Sequence, residues 1–201
     1  NRPIAWYHGA PEEHQQHIDP KVWGVIQSGK YTFKYAMLPN NTGYLRIPGM
    51  PMGDNAQLAV PIQAAVCTLQ TLGARQWVVD LRYNGGGNMF PMLAGLASLL
   101  GEGEIGGSMD ATGNRMSTWS IKDGDVFYND FLSVDMVNVC PMPDPPKLAV
   151  LCSRYTVSSG EVVAVAFRGR ANTRSFGEHT AGFVTGTNWV PLPAGVTMAV
   201  S

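Results

Sequence analysis

Twice in this chain an apolar run ends in a turn of small residues and a helix-like segment begins at once. Residues 76–82 read as a short buried strand, Asn84-Gly85-Gly86-Gly87 as its turn, and residues 88–100 as a helix rich in Met, Leu and Ala. Residues 147–152 form the second apolar run, Thr156-Val157-Ser158-Ser159-Gly160-Glu161 the second turn, and residues 162–167 the second helix. Strands that alternate with helices need crossover connections, which give a mostly parallel sheet covered by helices. In such a sheet both turns fall at the carboxyl edge, where α/β sites form.

The remaining elements fit around this pair. Residues 30–38 alternate and read as a strand, Pro39-Asn40-Asn41-Thr42-Gly43 as a turn, and residues 44–47 as a second strand, so a hairpin is expected. Asp54 or Asn55 caps a helix that runs to about Leu72, with Leu58, Ile62, Ala65, Val66, Leu69 and Leu72 at helical spacing. Pro61 argues for a start later than Asn55. Between Gly101 and Met142 two short strands are expected, at residues 118–121 and 126–128, joined by Lys122-Asp123-Gly124-Asp125. The proline-rich stretch 142–146 is a stiff linker. After the second helix, strands are expected at 173–178, 183–189 and 196–200. Residues 1–20 read as irregular, with room for a short helix across 12–17. The division expected is an N-terminal segment with the first hairpin strand, residues 1–42, and a core, residues 43–201.

Composition excludes several classes. A chain of 201 residues with 45% hydrophobic and 14% charged residues is globular and long enough for a real core. A net charge of −1 and no basic run argue against a nucleic-acid partner. No apolar run reaches the length of a membrane span. No signal peptide is visible at Asn1, and a mature or trimmed fragment is expected. Cys67, Cys140 and Cys152 lack metal-type spacing; Cys67 and Cys152 lie in apolar runs and read as small core residues, with a pairing of Cys140 to either left open. His14 and His17 could share a helix face, but no third ligand accompanies them, and they read as surface residues. No metal and no cofactor is expected. Asn40-Asn41-Thr42 matches a glycosylation acceptor, relevant only in a eukaryotic secreted protein.

The glycine triple lacks the order of a dinucleotide fingerprint, and no Gly-Lys-Ser/Thr follows it. A tight turn needing positive φ is the plain alternative. Ser158 to Glu161 matches a capping box, yet the start of a helix also offers free N–H groups and a partial positive charge that favour a developing anion. Capping and catalysis use the same amides. A glycine amide of the triple and the amide of Ser159 could point at one tetrahedral oxyanion.

Residues 78–87, Val-Val-Asp-Leu-Arg-Tyr-Asn-Gly-Gly-Gly, resemble the Asp-Leu-Arg-x-Asn-x-Gly-Gly segment of the C-terminal processing peptidase and tricorn core protease family. The stretch from Thr156 to Glu161 resembles that family's nucleophile turn, Gly177-Glu178-His179-Thr180-Ala181-Gly182 its Gly-Glu-x-Thr-x-Gly strand end, and residues 44–47 the strand that opens its core. The resemblance implies an α/β fold with a ClpP/crotonase-like core of mostly parallel strands and covering helices, plus the N-terminal hairpin. It implies a serine endopeptidase acting on peptides or unfolded proteins, in the periplasm or outside the cell. Carried over by position, Ser158 is the nucleophile, and the amides of Ser159 and Gly86 hold the oxyanion. Asp80 and Arg82 support the turn.

The family's Ser-Lys branch carries its lysine directly after the Gly-Glu-x-Thr-x-Gly motif. Phe183 stands there, and no lysine follows Lys147. The resemblance therefore shifts to the tricorn-like and interphotoreceptor-retinoid-binding-protein-like branch, which uses a histidine base. His179 is the histidine inside a matched motif and is a candidate base or site-flanking residue; His8, His14 and His17 are weaker candidates. Two other readings compete with the peptidase: a catalytically weak member that binds peptides or ligands on the same fold, and a crotonase-like acyl-CoA enzyme, which would not need the Ser158 turn.

Overall fold

The computed structural model describes residues 19–136, 139–142, 144–184, 186 and 188–200. The expected helix across 12–17 and the histidines at 8, 14 and 17 lie outside these residues. The first element is the helix α1 (Pro20–Gln27), capped by Asp19, whose side chain accepts from Lys21 N–H.

Among the described residues the main sheet has five strands. β1 (Lys34–Leu38) and β2 (Thr42–Arg46) form the expected hairpin, turned by Asn40 and Asn41 with φ of 59° and 54°. β1 starts at Lys34 rather than Lys30. Arg46 stacks over the Tyr31 ring at 4.4 Å and its Nε donates to Thr32 O, so those residues lie against a side chain instead of a neighbouring strand. β3 (Gln76–Asp80), β8 (Lys147–Cys152) and β9 (Thr173–Gly177) complete the order β1-β2-β3-β8-β9, in which β2, β3, β8 and β9 run parallel. The mostly parallel, mixed α/β fold expected from the sequence is thus present. The register aligns Arg46 with Asp80, Asp80 with Leu151, and Cys152 with Gly177. All four parallel strands therefore end at one edge.

One face of the sheet is core. Leu45, Trp77, Val79, Leu148 and Val150 are buried there with side chains of α2 (Asn55–Thr71), α3 (Met89–Gly95) and α5 (Ser159–Ala166). α2 begins where Asp54 caps Gln57 N–H at 3.0 Å. Pro61 lies inside α2, not in a delayed first turn. It is exposed, so the carbonyl it leaves without a helical partner faces water. The expected helix over 88–100 is two pieces, α3 and α4 (Ala97–Leu100), which part at Leu96.

The stretch after α4 holds more strand than its sequence announced. β4 (Gly103–Met109), β5 (Arg115–Lys122), β6 (Asp125–Tyr128) and β7 (Phe131–Val134) form an antiparallel sheet. β4 was hidden by its glycines, which look like loop. They are needed: a Cβ on Gly107 would lie 2.2 Å from Ser117 O across the ladder. β10 (Asn188–Pro191) and β11 (Thr197–Val200) pair as a final hairpin. β10 starts at Asn188, later than the expected Phe183.

Cys67 reads from sequence as a small core residue, with a pairing of Cys140 to it or to Cys152 left open; the structure joins it to Cys140 in a disulfide with the two Cα atoms 5.5 Å apart. The bond ties α2 to the linker that leads into β8. Cys152 is free and buried, and burial pushes its thiol up to about 11, which keeps it inert. Cys67→Ser is expected to destabilise the fold by up to about 4 kcal/mol, as a loop of this length predicts. Thermal unfolding with and without reductant measures it; reductant should lower the wild-type midpoint and leave the variant unchanged.

Candidate active site

The carboxyl edge of the parallel sheet brings both sequence turns together. From β3, Asp80 opens the Leu81–Gly87 loop. Asp80 is 1% exposed. Its Oδ1 accepts from Arg82 N–H and Nε, and its Oδ2 from Arg82 Nη2 at 2.8 Å and Tyr44 Oη at 2.7 Å. Burial pushes this carboxyl up, but the Arg82 and Tyr44 hydrogen bonds outweigh it and hold the group below its ordinary value. Burial and the Asp80 carboxylate push Tyr44 up to about 12. Asp80 and Arg82 thus shape the turn.

The next residues stitch β3 to β8. Leu81 N–H donates to Leu151 O at 2.8 Å, Thr156 Oγ1 donates to Leu81 O at 2.7 Å, and Ser153 Oγ donates to Arg82 O. Thr156 Oγ1 also accepts from Ser153 N–H at 3.0 Å, so this buried hydroxyl closes the loop that precedes the serine. Asn84 is 0% exposed and joins three strand ends. Its Nδ2 donates to Pro48 O at 3.1 Å, its Oδ1 accepts from Gly86 N–H at 3.0 Å, and its backbone carbonyl accepts from Val157 N–H at 2.9 Å. Gly160 lies against it; a Cβ there would come within 2.7 Å of Asn84 O.

Gly86 then meets Ser158. Its φ is 94°, and a Cβ would stand 2.9 Å from Ser158 Cβ and 3.3 Å from Ser159 N. The absence of a side chain is what allows the two turns to touch. On its other side the glycine loop is pinned by Met50, whose N–H donates to Gly86 O at 2.9 Å. Ser159 Oγ donates to Gly87 O at 2.5 Å.

Ser158 precedes the first residue of α5 with φ 52° and ψ −119°, a conformation costly for any residue with a Cβ. Its N–H donates to Glu161 Oε2 at 2.9 Å. Glu161, 2% exposed, also accepts from Gly182 N–H through Oε1 at 2.8 Å. The 178–182 segment is further held by Glu178 N–H on Cys152 O and Ala181 N–H on Thr156 O. Arg154 and Glu178 form an exposed ion pair at 3.0 Å that holds Glu178 below its ordinary value. A run of rings borders the site: Tyr83 stacks on Tyr155 with centroids 5.9 Å apart and meets Tyr31 edge-on at 4.7 Å.

Of the sequence candidates, Ser158, Ser159 and Gly86 stand together. The Gly86 N–H, expected to face an oxyanion, is engaged by Asn84 instead. His179 is exposed on the 178–182 segment. Asn84, Thr156 and Glu161 are the polar residues whose roles sequence reasoning missed. Asn84 and Glu161 were in view as a turn residue and a cap; their burial was not. Among the described residues no three His, Cys, Asp or Glu side chains gather closely enough to hold a metal ion. No helix among them is long and apolar enough to cross a membrane.

The chain is therefore an α/β protein whose candidate site lies at the carboxyl edge of a parallel sheet. It belongs to peptidase family S41, whose model matches residues 41–201. A nisin-resistance protein of Lactococcus lactis subsp. lactis is 27% identical over 189 residues, 94% of this chain and 57% of the relative. The chain thus spans a little more than half of that relative's length. Among solved structures, a lipoprotein from Streptococcus agalactiae superposes with a TM-score of 0.64 at 24% identity, over 90% of this chain and 60% of that one, a likeness of fold. The photosystem II D1 C-terminal processing protease matches with a TM-score of 0.56 at 25% identity, over 85% of this chain and 42% of that one. The resemblance drawn from the sequence motifs is borne out at the level of the family.

Asp80 contributes stability above its unfolded value near pH 4, and loses it as pH falls through its depressed folded value. Arg82 is half-exposed, so solvent screens the pair. Asp80→Asn is expected to cost about 1–2 kcal/mol at neutral pH and to weaken the acid-side decline in melting temperature. Unfolding midpoints between roughly pH 7 and 2 test this.

Proposed function

We propose that this protein is a serine endopeptidase of peptides or unfolded proteins in which Ser158 Oγ attacks the scissile carbonyl. The observation that carries the reading is Ser158 itself: a serine held at positive φ on the start of a buried helix, with Gly86 packed against it. Strained backbone concentrates at functional sites. Attack forms a bond from Oγ to the carbonyl carbon, and the serine proton passes to a base. The negative oxygen is met by the free amide of Ser159 and by one amide of the glycine triple.

The sequence favoured Gly86 for that second amide. Its N–H is spent on Asn84, so we place the donor on Gly87. Gly86 O faces Met50 N–H, and in a trans peptide the following N–H points the opposite way. Gly86 keeps a different task, the close approach to Ser158.

A histidine is the proposed base, since Phe183 holds the lysine place of the Ser-Lys branch. His179 is the candidate inside the described residues. The proposed setting is the cell envelope or the exterior. The Cys67–Cys140 disulfide supports an oxidising compartment.

A fluorophosphonate probe should label Ser158, and Ser158→Ala should abolish labelling and lower cleavage of an unfolded protein by roughly a thousand-fold or more. His179→Ala, measured the same way, tests the base. An intact protein that binds unfolded peptides yet is never labelled would instead be a binding member of the family.

A further inference from the structure

We infer that Glu161 is a positioning residue: its buried carboxylate holds Ser158 in its left-handed turn and clamps that turn to the chain at Gly182. This rests on the reading of Ser158 as nucleophile.

Ser158 would relax from φ 52°, ψ −119° if nothing opposed it, because such backbone is costly for a residue with a Cβ. The Glu161 carboxylate opposes it through the 2.9 Å bond from Ser158 N–H. At 2% exposure this bond is made away from water, where charge-assisted bonds are strong. A capping glutamate needs only that one bond. Glu161 makes a second, at 2.8 Å, to an amide 21 residues further on, which no helix cap requires. That amide follows Ala181, whose own N–H is fixed on Thr156 O at 3.0 Å. The carboxylate and the Thr156 carbonyl thus grip the 181–182 backbone from two sides. The serine turn and the strand-end segment beside it are thereby tied to each other.

Both partners of Glu161 are donors, so the side chain must accept twice. Glutamine keeps the shape but can accept only through its carbonyl oxygen; its amide group turns a donor toward a donor. Glu161→Gln is therefore the informative change, measured by heat and by labelling. Thermal unfolding compares Glu161→Gln in two backgrounds, native Ser158 and Ser158→Gly. Glycine takes positive φ without the Cβ penalty. The loss in melting temperature caused by Glu161→Gln should shrink to about half or less in the Ser158→Gly background. Equal losses in both backgrounds would overturn the role. In the native background, the first-order rate of fluorophosphonate labelling at Ser158 should fall about ten-fold or more, with the half-saturating probe concentration within about two-fold of wild type. Unchanged labelling would also overturn it. A wild type that is never labelled sinks the nucleophile reading alone, and the thermal cycle still decides whether Glu161 holds the turn. If Glu161→Gln does not fold, Glu161→Asp, which keeps the charge but falls one methylene short, takes the same two measurements.

Discussion

One buried asparagine, through its side-chain amide and its backbone carbonyl, is the joint on which this structure depends. Asn84 reaches β2 through Pro48, its own loop through Gly86, and β8 through Val157. Three strand ends are thereby set against one another with no freedom to slide. An amide suits this place because it donates and accepts at once, and neighbouring backbone offers both kinds of partner. Away from water each of these bonds is strong, and each group left unpaired would be costly. The network therefore favours one arrangement of the loops over many similar ones.

Around that joint the site divides its tasks. Asp80, Arg82 and Tyr44 shape the exit from β3. Thr156 and Ser153 hold the loop that leaves β8. The glycine turn supplies close approach, and the serine turn supplies strained backbone at the head of a helix. The features that make Ser158 reactive in our reading also look like ordinary helix capping in a one-dimensional string. A three-dimensional neighbour separates them: a cap has no need of Gly86 against its serine.

Much of this was legible in the sequence. The two strand–turn–helix units stood out because strand, turn and helix signals agree within each, and four motifs in order led to the family that residues 41–201 match. Ser158, Ser159 and the glycine turn were singled out as site candidates for the same reason. What was hidden has physical causes. β4 is written in glycines, which its neighbours require but which read as loop. Pro61 violates a helix rule that its exposure makes tolerable. Cys67 reads as core because its neighbours in sequence are apolar; its partner lies 73 residues away. The engagement of Gly86 N–H by Asn84 depends on a side-chain direction that no spacing reveals.

The disulfide has a consequence for how the chain finds this arrangement. The two halves of the site, Asn84 to Gly87 and Thr156 to Glu161, are separated by the whole antiparallel sheet. Pairing β3 with β8 must close that long loop before any local contact rewards it, and such non-local pairing is slow. A covalent link between α2 and the linker just ahead of β8 shortens the search, because β8 is then tethered near the helix that leads directly into β3. Oxidation early in folding would thus assemble the site as an almost local event.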